Sequence, residues 1–178
     1  VIIALIRWQR EAPISELPSE RFFSALRSGF RFARHAPDLQ AAVMRGLGFF
    51  LFASASWALL PMLVKSLANG GPQTFGILVG CIGAGAVIGA LILPKLREKI
   101  SRDRLVALAT VVYASAMAAL ATFNQLILLC LAMAVSGIAW ITVLSSLQVA
   151  AQMALPNWVR SRGLAVFMAV MMGSMALG

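Results

Sequence analysis

Residues 94–104 read PKLREKISRDR and carry seven charged side chains, five of them basic. Uncharged apolar runs flank them at residues 74–93 and 105–123, and each is close to the ~20 residues that cross a hydrocarbon core of about 30 Å. A Lys, Arg or Asp at the centre of a membrane helix costs about 2.5–3.5 kcal/mol, whereas a Leu, Ile, Phe or Val returns only about 0.3–0.6 kcal/mol. The charged segment is therefore predicted to be a turn in water between two transmembrane helices. Its Lys and Arg excess predicts the cytoplasmic side.

The composition of the whole chain excludes both a disordered protein and an ordinary soluble domain. Hydrophobic residues make up 61% of the 178 residues and charged residues 12%, with a mean hydropathy of +0.89; soluble domains are about 45–50% apolar. The formal net charge is +9, but fourteen of the fifteen Lys and Arg residues fall in three clusters, at residues 7–45, 95–104 and 160–162. Clusters that alternate with apolar runs indicate membrane topology, so no nucleic-acid partner is predicted.

Counting outward from the charged segment predicts an all-α, polytopic membrane helix bundle. Complete spans are predicted at about residues 46–65, 74–93, 105–123 and 126–149. Residues 1–8 are interpreted as the end of an earlier span and residues 163–178 as the start of a later one, so that the chain is a fragment of a longer protein. The loops predicted to be cytoplasmic are residues 9–40, 94–104 and 150–162.

The first of these loops is long and polar, with an amphipathic helix predicted at about residues 19–36. Aromatic side chains such as Phe22 and Phe30 share one side of the helical wheel, and Arg27 and Arg31 share the other. This pattern is typical of a helix that lies on an anionic cytoplasmic leaflet. A connector helix packed beneath the membrane domain is an equally good interpretation.

The span at residues 74–93 is rich in glycine. Gly76, Gly80 and Gly83 form one stripe, and Gly85 and Gly89 form another. Because small residues at four-residue spacing let membrane helices approach closely, we expect this helix to be pressed between two neighbours. A substrate path lined by glycine backbone is the alternative.

No catalytic or cofactor motif occurs in the chain. It contains no nucleotide-binding Gly-x-x-x-x-Gly-Lys-Ser/Thr loop and no His-Glu-x-x-His, and its two cysteines lack metal-ligand spacing. Neither an enzymatic activity nor a cofactor or metal is predicted. All six acidic residues fall in loops or at helix ends. Intramembrane carboxylates are the usual proton relays, so any proton-coupling carboxylate is expected outside this chain.

Four side chains inside the spans are candidates for contact with a solute. Ser54 and Trp57 lie on one predicted helix, and Ser136 and Trp140 lie on another. The alternative for each is interhelical packing or hydrogen bonding.

Several features together resemble the C-terminal half of a major facilitator superfamily transporter. They are the basic linker, the glycine-rich helix ending in Gly89, the basic segment 95–104 and the loop Pro156-x-x-x-Arg160-x-Arg162-Gly163. Within the superfamily the chain resembles the bacterial transmembrane secretion effector group, relatives of the enterobactin exporter. The resemblance covers essentially the whole chain and implies a twelve-span fold, with residues 1–8 ending span six, residues 9–40 as the central loop, and spans seven to ten and the start of span eleven following.

The resemblance also implies a function. We expect a secondary active exporter of small, drug- or siderophore-like amphipathic molecules, working by alternating access in a bacterial inner membrane, with Trp57 and Trp140 facing the pathway. A proton is expected as coupling ion through the missing N-terminal half. The residues expected to gate or orient the cytoplasmic loops are Lys95, Arg97, Arg102, Arg104, Pro156, Arg160, Arg162 and Gly163. Leu93 stands where the family usually has Asp, so no charge-based latch is predicted there. The alternative is a non-transporting membrane module or the membrane domain of an ATP-driven complex.

Overall fold

A computed structural model describes residue 31 and residues 34–67, 70–157 and 159–178. These residues form five α-helices, with no strand among them. Their bounds are α1, Pro37–Ser66; α2, Pro72–Lys99; α3, Arg102–Thr122; α4, Leu126–Met153; and α5, Arg160–Leu177. The partial span predicted at residues 1–8 lies outside the described residues, as does nearly all of the amphipathic helix predicted at about residues 19–36.

Helices α1 to α4 are long and apolar enough to cross a membrane. At 1.5 Å per residue, the 30 residues of α1 extend over about 45 Å. In lipid every backbone polar group must be satisfied internally, so a long apolar run folds as a helix. The prediction of an all-α polytopic bundle is confirmed.

The basic segment differs from the predicted turn. Helix α2 continues to Lys99 and α3 begins at Arg102, so only Ile100 and Ser101 lie between the helices. The charges therefore sit on helix ends. Arg97 and Lys99 occupy the last turn of α2 and Asp103 the first turn of α3, where each complements the helix dipole. We call this end of the bundle, where α2 and α4 end and α1, α3 and α5 begin, the basic end.

Helix α4 is the centre of the bundle. It packs against α1, α2, α3 and α5, and 44% of its most apolar window is buried, against 22% for α2. One group of buried side chains joins α1, α3, α4 and α5 around Phe50, Val143 and Phe167. A second group of buried side chains joins α1, α2, α3 and α4 nearer the opposite end of the bundle, around Leu78 and Leu129.

Glycines set the contact between α2 and α4, which run parallel. A Cβ atom at Gly85 would collide with the carbonyl oxygen of Ala134, and one at Gly137 with the carbonyl oxygen of Ile82. At Gly89 a Cβ atom would collide with the side chain of Ile141 and would lie 3.0 Å from the Cα atom of Ile138. The two helices therefore touch through their backbones, as small-residue packing allows.

The other predicted glycine stripe makes no such contact. A Cβ atom at Gly76, Gly80 or Gly83 would meet no atom of the described residues within 4 Å. Among the described residues one stripe packs against α4 and the other is open, so the expectation that α2 is pressed between two neighbours stays a prediction. Small residues permit a close approach but do not require one.

Candidate functional site

An aromatic cluster, formed by Phe49, Phe50, Trp57, Tyr113 and Trp140, joins α1, α3 and α4. Phe50 and Trp57 are seven residues apart and so share one face of α1. Tyr113 and Trp140 lie near the middle of α3 and α4. The cluster therefore occupies the middle of the bundle, at the depth where the lipid core is expected.

Trp140 is the ring that connects the others. Its centroid lies 5.3 Å from that of Phe50 and 5.9 Å from that of Phe49, and 6.1 Å from Tyr113 and 6.3 Å from Trp57. The Trp57 pair meets edge to face at 74°, a favourable geometry for aromatic rings. Trp57 is 42% exposed, so this indole forms the open side of the cluster.

A small polar group adjoins the rings. Ser56 Oγ donates to the carbonyl oxygen of Ala53 at 2.6 Å, and the hydroxyl oxygens of Tyr113 and Ser56 lie 2.6 Å apart. The Tyr113 hydroxyl is also 3.3 Å from the Ala53 carbonyl oxygen. Since Ser56 uses its hydrogen on the carbonyl, the Tyr113 hydroxyl can donate to Ser56, which fixes the phenol against α1.

A narrow crevice opens between these groups. Its volume is about 10 Å³, which is room for about one water molecule. Sites for drug-sized ligands are about 300–1,000 Å³, so a solute of that size requires the helices to separate. The crevice is lined by Ser56, Trp57, Leu60, Ile82, Tyr113, Met117, Met133, Ser136 and Trp140.

The structure brings together three of the four predicted pathway residues. Trp57, Ser136 and Trp140 line the crevice, although the Ser136 hydroxyl donates to the Met133 carbonyl within its own helix, at 2.8 Å. Ser54 lies elsewhere. It is 7% exposed and donates to the Leu51 carbonyl, beside Gly178 at the contact of α1 with α5.

Sequence reasoning missed Tyr113, the only tyrosine of the chain. The predicted span at residues 105–123 that contains it is otherwise nearly free of polar side chains, and no candidate residue was named in it. A single phenol in the middle of an apolar span is itself a signal, because a buried tyrosine hydroxyl usually requires a partner.

A second cavity, of about 440 Å³, lies at the basic end. Its walls come from the starts of α1 and α3 and the end of α4, and its charged side chains are Asp38, Arg45, Arg102 and Asp103. Arg45 and Asp103 form an ion pair that joins α1 to α3. Because both side chains are largely exposed, the pair adds little to stability.

The remaining candidate gating residues are spread over the same end. Arg97 Nη2 donates to Ser145 Oγ on α4 at 2.9 Å, and Lys95 and Arg104 are exposed.

In the connection from α4 to α5, Leu155 is buried against Gly163, where a Cβ atom would collide with it. Arg160 Nε reaches the Leu155 carbonyl oxygen at 3.4 Å. Pro156 is exposed on this connection, and Arg162 lies in the first turn of α5.

No carboxylate, histidine or cysteine side chain is among the described residues that line the crevice. No three His, Cys, Asp or Glu side chains there are grouped as a metal site would require. The described acidic residues, Asp38, Glu98 and Asp103, all lie at the basic end. The crevice offers ring faces and hydroxyl groups, and these bind by stacking, cation–π contact and hydrogen bonding.

A family model described as transmembrane secretion effector matches residues 1–178. No curated protein and no solved structure matched the chain.

Proposed function

The chain belongs to the transmembrane secretion effector family of major facilitator-type transporters, and from this premise we propose that it forms half of a secondary active exporter of small amphipathic molecules. It is a multi-pass membrane protein with four membrane-spanning candidates among its described helices. The observation that carries the export proposal is the aromatic crevice at the middle of α1, α3 and α4.

The crevice has the chemistry that such a substrate needs. Rings of Trp57, Tyr113 and Trp140 offer faces and edges for an apolar or aromatic body. Hydroxyl groups of Ser56 and Tyr113 stand at the same place and can exchange their mutual hydrogen bond for one to a polar substituent. The substrate would thus be bound by contacts that tolerate variation in shape.

The crevice must open before it can take the proposed substrate. At about 10 Å³ it has no room for a drug-sized molecule, so we assign this conformation to a state in which the described half has closed on itself. Substrate would enter as α1 moves away from α3 and α4, while the second half of the transporter rocks against this one.

The charge distribution supports an orientation. Every Lys and Arg of the described helices except Lys65 lies at the basic end, and we place that end in the cytoplasm by the positive-inside rule. A bacterial inner membrane is the setting that we propose. We place the proton-coupling carboxylate outside the described residues, because the acidic groups within them lie at helix ends.

Replacing the two indoles tests the export proposal. In proteoliposomes loaded with a fluorescent amphipathic amine, we expect Trp57→Ala and Trp140→Ala each to lower the initial transport rate about tenfold, because each removes ring contacts with the substrate. Phe52→Ala is the matched control, since Phe52 is an aromatic residue of the same helix that is 78% exposed and lies outside the crevice.

The control should transport at close to the unmodified rate. If both tryptophan variants were folded, inserted and as active as Phe52→Ala, the crevice would not be the substrate site.

A further inference from the structure

Arg97 holds a charge that the described residues leave uncompensated. It is the fourth member of a stripe at four-residue spacing, Gly85, Gly89, Leu93 and Arg97, whose first three members are buried against α4. Arg97 is half-buried at the end of that seam. Its position directs the guanidinium toward α4, where Nη2 donates to Ser145 Oγ at 2.9 Å.

The guanidinium is held but not neutralised. Its Nε atom is buried and has no hydrogen-bond partner among the described residues. No described carboxylate lies within ion-pair distance of it: Glu98 is exposed, Asp103 pairs with Arg45, and Asp38 lines the cavity at the start of α1. A hydroxyl cannot balance a charge, and an unpaired charge withdrawn from water is costly.

The position of Arg97 along α2 favours an anion at the membrane surface as the partner of its guanidinium. Val87 and Leu91 are exposed on the flank of α2 nearer to Arg97, and an acyl chain of a lipid beside Arg97 would lie against them. Arg97 follows Leu91 by six residues, or about 9 Å along the helix axis. This displacement carries the guanidinium from acyl-chain depth toward the headgroup layer, where arginine side chains extend to the polar surface.

We propose that Arg97 and Ser145 form a binding site for the phosphodiester group of an anionic phospholipid, seated where α2 and α4 meet at the basic end. The guanidinium supplies charge and a fork of N–H donors that matches two phosphate oxygens. Ser145 holds the guanidinium in place. The acyl chains lie along Val87 and Leu91 of α2. The site is independent of the aromatic crevice and of what the protein transports.

Equilibrium binding of fluorescent phosphatidylglycerol to the whole purified protein in neutral detergent micelles tests the proposal. We expect Arg97→Gln to weaken binding about tenfold, because it removes charge-assisted hydrogen bonds. Lys99→Gln is the matched control, since it removes one exposed positive charge two residues away on the same helix end. Its screened charge should change the affinity by no more than about twofold.

Arg97→Lys keeps the proposal testable if the glutamine variant does not fold. It retains the charge but loses the fork, and we expect it to bind the lipid about threefold more weakly than the unmodified protein. Equal affinity of Arg97→Lys, or a loss in Arg97→Gln no larger than that in Lys99→Gln, would overturn the site.

Inorganic phosphate distinguishes a lipid from a free anion. At the same concentration it should compete with the fluorescent lipid at least tenfold less well than unlabelled phosphatidylglycerol. Equal competition would assign the site to a soluble oxyanion and overturn the lipid proposal. A folded Arg97→Gln variant could also be less stable than the unmodified protein and yet bind the lipid with unchanged affinity. That result would indicate that Arg97 pairs with a carboxylate from another part of the protein, and it would overturn the lipid proposal.

Discussion

Trp140 shows how much of this bundle depends on one side chain. Its indole contacts rings on two other helices, at 5.3–6.3 Å between centroids. In lipid the hydrophobic effect does not draw helices together, so packing and polar contacts must do so. Trp140 therefore fixes α4 against α1 and α3 at the depth where the crevice lies.

Tyr113 is the polar counterpart of that contact. Tyr113→Phe keeps the ring but removes the hydroxyl that bonds to Ser56. We expect it to lower the free energy of unfolding by about 0.6 kcal/mol, the average for such bonds between membrane helices. Unfolding of the purified protein by sodium dodecyl sulfate in mixed micelles measures this quantity.

Ser56→Ala and the double variant complete a cycle that isolates the pair. The combined loss should be smaller than the sum of the two single losses, because each variant breaks the same bond. Additive losses would show that the two hydroxyl groups do not interact. The ring contacts of Tyr113 with Phe49 and Trp140 are present in all four proteins of the cycle, so differences in the free energy of unfolding report on the hydroxyl groups.

At the scale of the helix, the two native cysteines can be used to test the parallel contact of α2 with α4. Cys81 on α2 and Cys130 on α4 are both free. They stand four residues before Gly85 and Ala134, where the parallel helices touch, so the two thiols face each other across the same contact. Oxidation by copper(II) phenanthroline should therefore join them in an intramolecular disulfide: two copper(II) complexes each accept one electron, and the two thiols release two protons. After oxidation and denaturation, neither cysteine should react with a maleimide.

Cys130→Ser provides the control for this experiment. With its partner removed, Cys81 should remain open to maleimide after the same treatment. If both cysteines of the unmodified protein stayed reactive after oxidation, the register of α2 against α4 described above would be wrong.

Hydropathy was enough to predict that these segments are helices, because a long uncharged run in lipid has no other way to satisfy its backbone. Hydropathy was not enough to predict the residues at which the helices end. Charged residues 95–99 continue α2 into water, since helical hydrogen bonds do not stop where the apolar residues stop. Gly85 and Gly89 could not be told from Gly80 and Gly83 by spacing alone, because spacing shows what a helix permits and only a neighbour decides which face is used.

The candidate site was predictable to a similar extent. Trp57, Ser136 and Trp140 stood out as polar or aromatic side chains in apolar spans, and they do share the crevice. Ser54 has the same local signal and lies on nearly the same side of α1 as Trp57, since positions three residues apart share a helix face. It nevertheless lies beside Gly178 at the contact with α5 and not at the crevice, and only the position of the neighbouring helix decides this. Tyr113 comes to the site through a contact between distant parts of the chain, which a local pattern does not reveal.

For the whole molecule, sidedness is the proposal that most needs a test. In a variant whose native cysteines are replaced, we expect a cysteine at Gly71 to react with an impermeant maleimide added to intact cells. A cysteine at Ser101 should react only after permeabilisation, because the basic end is placed in the cytoplasm. Labelling by gel shift reports both positions.

These two positions serve as controls for each other, since both lie in short connections beside α2. The opposite pattern would invert the orientation. Equal labelling of both positions in intact cells would mean that the two connections emerge on one side, and the arrangement of spans would then be wrong.

The tight fit around Trp140 also bears on the energetics of the cell. A gap with room for about one water molecule cannot hold the continuous file of water along which protons and small ions leak. In the packing that the structure shows, this crevice is therefore closed to a file of ions. On the export proposal, a resting copy would not lose the driving gradient through it.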